Sequence, residues 1–277
     1  MKIIKTLKRN LRKTFAIAER NIWFEIRFKS KFIQGYISPI TNFVIFFIIF
    51  GTIFSVNANY NFGYWNSNNY ALFLLIGYII QQIKSIVNKY DILFMREKFW
   101  KTLQGLLVAP FHRFNLLIGI VLSELILASI PIIVVFIIAY IFFPISIIQI
   151  IIFLLVLFSI SIIFGSIGIF IGVFSISNES IAKFLSFSMR IIFAFSCVSY
   201  PLKIFPEIIQ IFIVINPLFY LFDLLRLIWF SGINFGYAIS YLSPIHIIIL
   251  LSLVLVGPVI AIKLFNEVYK KLGITGY

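Results

Sequence analysis

Long apolar runs alternate along this chain with short polar connectors, and the lengths of those runs give the first reading. A helix needs about 20 mostly apolar residues to cross a hydrocarbon core about 30 Å thick. Six spans are predicted, at about Phe32 to Val56, Tyr70 to Ile92, Phe114 to Phe143, Ser146 to Phe174, Phe184 to Val198 and Pro244 to Leu264. The third is expected to break at Pro131. Pro144 to Ser146 has room only for a tight turn, and Ser175 to Lys183 reads as a polar connector. Span two is the least apolar, holding Gln81, Gln82 and Lys84, and polar groups at membrane depth face protein or water rather than lipid. From Tyr200 the texture changes, because Pro201, Lys203, Pro206, Glu207, Asn216, Pro217, Asp223 and Arg226 interrupt the apolar runs. Ile204 to Ile215 and Pro217 to Phe230 are too short to cross independently and read as two helices dipping into the outer leaflet.

Two amphipathic stretches complete the pattern. In residues 1–31, Leu7, Leu11, Phe15, Ile22, Trp23 and Phe28 interleave with Lys8, Arg9, Arg12, Lys13, Arg20, Arg27 and Lys29. That suits an interface helix on the membrane surface, with no apolar run of the kind a cleavable signal requires. Between spans two and three lies Arg96 to Gly119. Drawn as a helix, it aligns Phe99, Leu103, Leu106 and Leu107 on one stripe, with Lys98, Lys101 and Gln104 facing away and Pro110 ending it. The bland alternative is an interfacial loop whose cations only fix topology.

Composition sharpens the class. With 62% hydrophobic and 12% charged residues, the chain is an all-α integral membrane protein, read as a single domain over 1–277 (interface helix 1–31, six-span region 32–264, tail 265–277). Net charge is +14, but ten of the 23 Lys and Arg lie before Gln34, beside spans where anionic headgroups rather than nucleic acid are the nearer partner. Lys89 to Arg113 adds five, whereas 57–69 and 144–146 carry none, so both termini are expected in the cytoplasm. The single Cys197 excludes an intrachain disulfide and a Cys-rich metal site. His112 and His246 fall on opposite predicted sides, so neither a metal site nor a histidine-based catalytic pair is expected. Ser123 and Ser129 flank Glu124, but no histidine shares their span to act as a base. Glu124 itself, within span three, reads either as part of a substrate path or proton relay, or as a structural pair with Lys84 or a neighbouring hydroxyl. Arg190 in span five has the same two readings. Gly165, Gly168 and Gly172 read as a close-packing helix face.

A basic-acidic pair, an aromatic-bearing helix with T-L-x-x-L-L, then A-P-F, a basic residue and L-L-x-G resembles the E-R-x-x-G-T-L-E-x-L-L-x-x-P signature of ABC-2 type transporter permeases. Pro201-Leu202, Phe205-Pro206, Asn216-Pro217-Leu218-Phe219-Tyr220 and Asp223 to Arg226 resemble that family's proline-rich outer segment. The chain departs from the pattern at Lys101 and Gln104, where the family has Gly and Glu, and at Cys197, which replaces the glycine usual a few residues before the outer proline. The resemblance implies a homodimeric or similarly paired exporter subunit of the cell membrane, whose connector is a coupling helix seated on a separate P-loop ATP-binding subunit. Arg96, Glu97, Lys98, Lys101, Thr102, Leu103 and Leu106 then become ATPase-coupling candidates. Pro201, Pro206, Asn216, Pro217, Tyr220, Asp223 and Arg226 become candidates for the outer gate, and Lys84, Glu124 and Arg190 for intramembrane polar sites. No G-x-x-x-x-G-K-[ST] occurs, so ATP and Mg are expected in the partner chain. A lipid-linked glycan, a lipid or a hydrophobic drug would suit the apolar path. The rival readings are an integral membrane enzyme using Glu124 or Asp223 as acid or base on lipid-type substrates, and a channel or scaffold needing no ATPase.

Overall fold

The computed structural model describes residues 2–56, 62, 65–102, 105, 113–233 and 241–272, and among these the chain is helical with no strand. The helices are α1 Lys2–Arg27, α2 Lys29–Val56, α3 Tyr70–Phe99, α4 Arg113–Phe142, α5 Ile147–Ser177, α6 Glu179–Ala194, α7 Glu207–Ile215, α8 Pro217–Ile233 and α9 Pro244–Leu272. A 3-10 turn, Leu202–Ile204, separates α6 from α7. Four helices are long and apolar enough to cross a membrane: Tyr70–Phe99, Phe114–Phe142, Ile147–Ser177 and Pro244–Val268. The pair α7 and α8, bent by 90° at Asn216, is a fifth candidate and matches the two short helices expected there. The expected first and fifth spans fall short of this standard. Within α2 the apolar stretch is Phe43–Phe54, and α6 has only 16 residues, about 24 Å of helix.

The core is built on α3 and α5, whose contact is the most extensive in the fold. Glycine makes it so: a Cβ on Gly168 would lie 2.5 Å from Cδ2 of Tyr90 and 2.9 Å from the Val87 carbonyl. Backbone approach of this kind is the dominant glue between helices in lipid, where apolar burial drives nothing. The Tyr90 hydroxyl, fully buried by that approach, donates to the Leu117 carbonyl of α4 at 2.7 Å. The helix α9 lies along the other side of α5, and α8 fills the space between them.

Local chemistry places the breaks. Ser146 caps α5 in a capping box, its hydroxyl accepting from the Gln149 N–H while its own N–H donates to Gln149 Oε1 at 2.9 Å. Two sequence expectations fail here. Pro131 does not break its span, since α4 runs through it unbroken. Surrounded by hydrocarbon, a wider break would strand more backbone groups than the one hydrogen bond the proline removes. Nor is Ser175 to Lys183 a connector. The Ser175 hydroxyl donates to Asp91 of α3, α5 continues to Ser177, and Asn178 alone interrupts the chain, capping α6 by accepting from the N–H groups of Ser180 and Ile181.

Candidate functional site

The interface helix α1 docks on α4 where Gly119 leaves room. A Cβ there would lie 2.7 Å from Cγ2 of Ile17 and 3.1 Å from the Thr14 carbonyl. This brings charged side chains of α1, α3 and α4 together. Glu25 of α1 pairs with Lys89 of α3 at 3.1 Å, and Lys89 pairs with Glu124 of α4 at 2.9 Å. Arg96 of α3 lies 3.8 Å from Glu25 and 3.3 Å above the ring of Phe24, while Arg20 reaches Glu97 at 3.2 Å. Three carboxylates, Glu25, Glu97 and Glu124, thus balance three cations, Lys89, Arg96 and Arg20, and all but Arg20 are largely buried. Removing any one would leave its partner charged and uncompensated.

Of the two structural partners expected for Glu124, Lys84 or a hydroxyl on a neighbouring span, the second is present: the Ser85 hydroxyl of α3 lies 3.5 Å away, beside the ion pair with Lys89. Lys84 is turned toward α6 instead, its Nζ 4.5 Å from the Phe193 ring. Which lysine of α3 meets Glu124 is set by how α4 packs on α3, and sequence spacing does not contain it.

The connector also starts later than expected. Arg96, Glu97 and Lys98 belong to α3 and turn inward: Glu97 accepts from the Thr102 hydroxyl at 2.5 Å, and Lys98 Nζ donates to the Ile176 carbonyl at 3.2 Å. The helix ends at Trp100, and Lys101 takes the left-handed φ of 58°. Phe99, the first residue of the predicted stripe, ends α3 and is 84% exposed beside a half-exposed Trp100. Leu103 and Leu106, with Gln104, Leu107, Pro110 and His112, lie outside the described residues.

At the opposite end of the bundle, the Asn216-Pro217 pair starts α8 in the way each residue favours. Asn216 Oδ1 accepts from the Leu218 N–H at 3.0 Å, and Pro217 occupies the first helical position, where no N–H is needed. The same Asn216 donates Nδ2 to the carbonyls of Ile192, at 2.8 Å, and Phe195, closing the end of α6. Arg226 grips the next turn. Its guanidinium donates to the carbonyls of Cys197 at 2.8 Å and Val198 at 2.7 Å and lies 3.7 Å from the Phe73 ring. Cys197 is buried at a left-handed φ of 56°. Gly77 opposite has no alternative, because a Cβ there would stand 2.6 Å from the Val198 carbonyl.

Asp223 accepts from His246 of α9 at 3.2 Å, Tyr220 packs edge-on to that imidazole, and the Ser243 hydroxyl lies 2.9 Å from its other nitrogen. Pro201 is buried and Pro206 exposed, each just ahead of a helical turn. Arg190 stands exposed on α6.

Phe24 and Glu25 went unnoticed in the sequence, and Arg20, Lys89 and His246 were read there without the partners they have in these clusters. Glu25 carried a signal, being one of only two acids among ten cations ahead of Gln34. Among the described residues no three His, Cys, Asp or Glu side chains converge as metal ligands.

No curated protein matches the chain. The family model described as ABC-2 type transporter matches residues 12–230, a stretch that holds the docked part of α1, the charged junction, the connector and the Asn216 to Arg226 segment. The match covers well over half of the chain, which therefore belongs to the ABC-2 type transporter family and is the membrane-embedded permease component of an ABC transporter.

Proposed function

We propose that this permease is the membrane subunit of an ATP-driven exporter of the cell membrane, paired with a second copy or a similar subunit and moved by a separate P-loop ATPase. In this reading α2 and α6 complete six spans and both termini are cytoplasmic. ATP and Mg belong to the partner, and the path carries a lipid, a lipid-linked glycan or a hydrophobic drug. The segment after Lys101 seats on the ATPase, with Lys101, Thr102, Leu103 and Leu106 nearest to it. Arg96, Glu97 and Lys98 act behind that contact, as anchors.

The observation that carries this is the charged junction. The chain leaves α3 for the connector within a few residues of Arg96 and Glu97, which are tied through Glu25, Arg20 and Lys89 to α1 and to Glu124 of α4. A push on the connector thus reaches both flanking spans and the interface helix as one rigid body, the form that transmitted motion takes when packed elements have discrete arrangements. The re-entrant pair, with Tyr220, Asp223 and Arg226, shapes the exit.

Co-expression with the P-loop ATPase of a neighbouring reading frame tests the reading. The chain alone hydrolyses no ATP, the wild type co-purifies with the ATPase, and Leu103→Asp does not. Retention of the ATPase by Leu103→Asp at the wild-type level would overturn the coupling assignment.

A further inference from the structure

The helix α3 is buried along most of its length, and through its middle the exceptions are all of one kind. Between Leu72 and Tyr90 the only side chains that escape burial are Gln81, Lys84, Ser85, Asn88 and Lys89. Every one is polar. A lipid-facing stripe would be apolar, so this face lies against water or a polar solute.

Lys89 is consumed by Glu25 and Glu124, and the carboxylate that reaches this face, Glu124, is consumed by Lys89. Lys84 has no such partner among the described residues. It leans on the Phe193 ring of α6 at 4.5 Å, and Arg190, one turn before Phe193 on that helix, adds a like charge. Arg190 is exposed and, among the described residues, makes no ion pair, and Lys183 stands two turns earlier on the same helix, also exposed. Lys84 lies eight residues, about 12 Å of helix, before the expected inner end of its span at Ile92, within the hydrocarbon region. Two like charges on neighbouring helices within the membrane are a cost that a bound anion relieves. The neighbouring Gln81, which donates to Ser199 at 3.2 Å, the exposed Ser85, whose hydroxyl donates to the Gln82 carbonyl at 2.8 Å, and the exposed Asn88 add neutral hydrogen-bonding groups around them.

We propose that Lys84 and Arg190, with Gln81, Ser85 and Asn88, form an anion site in the translocation path that receives a phosphate-type group of an acidic substrate. The site rests on the permease reading and narrows its substrate class, favouring a phosphorylated amphiphile over a neutral drug. Arg supplies a fork matched to phosphate oxygens and Lys a point charge, a pairing suited to a phosphoester or pyrophosphate.

The test uses the full chain in nanodiscs of neutral phosphatidylcholine, with the melting temperature followed as phosphatidic acid, diacylglycerol or inorganic pyrophosphate is added. Phosphatidic acid is expected to raise it and diacylglycerol is not. Lys84→Gln and Arg190→Gln should each weaken the apparent affinity about tenfold, the loss of one charge-assisted hydrogen bond. Lys84→Arg should restore binding, and Lys203→Gln should leave it unchanged. Displacement of phosphatidic acid by pyrophosphate assigns the group to a water-borne phosphate compound, and failure to displace assigns it to a lipid-borne one. The proposal is overturned if the wild type shows no phosphate-dependent shift, or if the Lys84→Gln/Arg190→Gln double variant binds as the wild type does. No ATPase is present in this assay, so its result stands apart from that of Leu103→Asp.

Discussion

Lys101 and Cys197 are the two non-glycine residues with positive φ among the described residues, at 58° and 56°, and both stand where the resembling family signature carries glycine. The left-handed conformation crowds a Cβ against the following carbonyl and costs about 1–2 kcal/mol. Lys101 is exposed, so Lys101→Gly should stabilise the purified chain by up to about 1 kcal/mol after the added freedom of the unfolded glycine is subtracted. A rise in melting temperature in detergent checks this. Cys197 is buried, so the same change there trades strain for lost packing and should leave stability nearly unchanged, whereas a β-branched residue should lower it. Arg226→Met should cost about 3 kcal/mol, because the carbonyls of Cys197 and Val198 lose their donor in an apolar site, and Arg226→Lys should recover only part of it. The motif containing Asn216 and Arg226 was visible in the sequence. Its work was not, since the carbonyls it closes lie 21 to 29 residues away along the chain and become neighbours only when α6 ends beside α8.

Element lengths were legible where apolar runs were long and unbroken, as in α5 and α9, because hydropathy over 20 or more residues outweighs any local signal. Element ends were less so. Pro131 looked like a break and is none, and Ser175 looked like a linker although its hydroxyl is absorbed by Asp91 of another helix. In both cases a tertiary environment, hydrocarbon or a neighbouring carboxylate, changes what the residue prefers. The glycines of α5 tell the same story in reverse, since their spacing announced close packing and α3 is the helix that uses it. Gly168→Leu should therefore force α3 and α5 apart and cost about 3 kcal/mol or more, read as loss of the folded monodisperse species. Gly119→Val acts elsewhere. It should release α1 from α4 and speed proteolysis of residues 2–27 in proteoliposomes, while the α3–α5 core keeps its melting temperature.

At the scale of the whole molecule, the balance of charges among α1, α3 and α4 makes one body of the elements around the connector. Neutralising one member, as in Lys89→Gln, strands Glu25 and Glu124 together and should uncouple ATP hydrolysis from movement of the spans, beyond any loss of folding. Conservative Lys89→Arg should retain coupling. The sequence placed these residues on predicted helices but could not pair them, because their partners come from three helices whose tilts only the packed fold defines. The proposed coupling is tested most directly by a spin-label distance measurement in a complex with the proposed P-loop ATPase partner, without nucleotide and trapped with ATP and Mg, in a Cys197→Ser background. Labels replace Trp23 of α1, which is exposed, and Lys101 at the start of the connector. The distance between Trp23 and Lys101 within one copy should stay fixed while that between Lys101 of the two copies shortens. A Trp23 to Lys101 distance that changes with nucleotide while the copies stay apart would contradict the account.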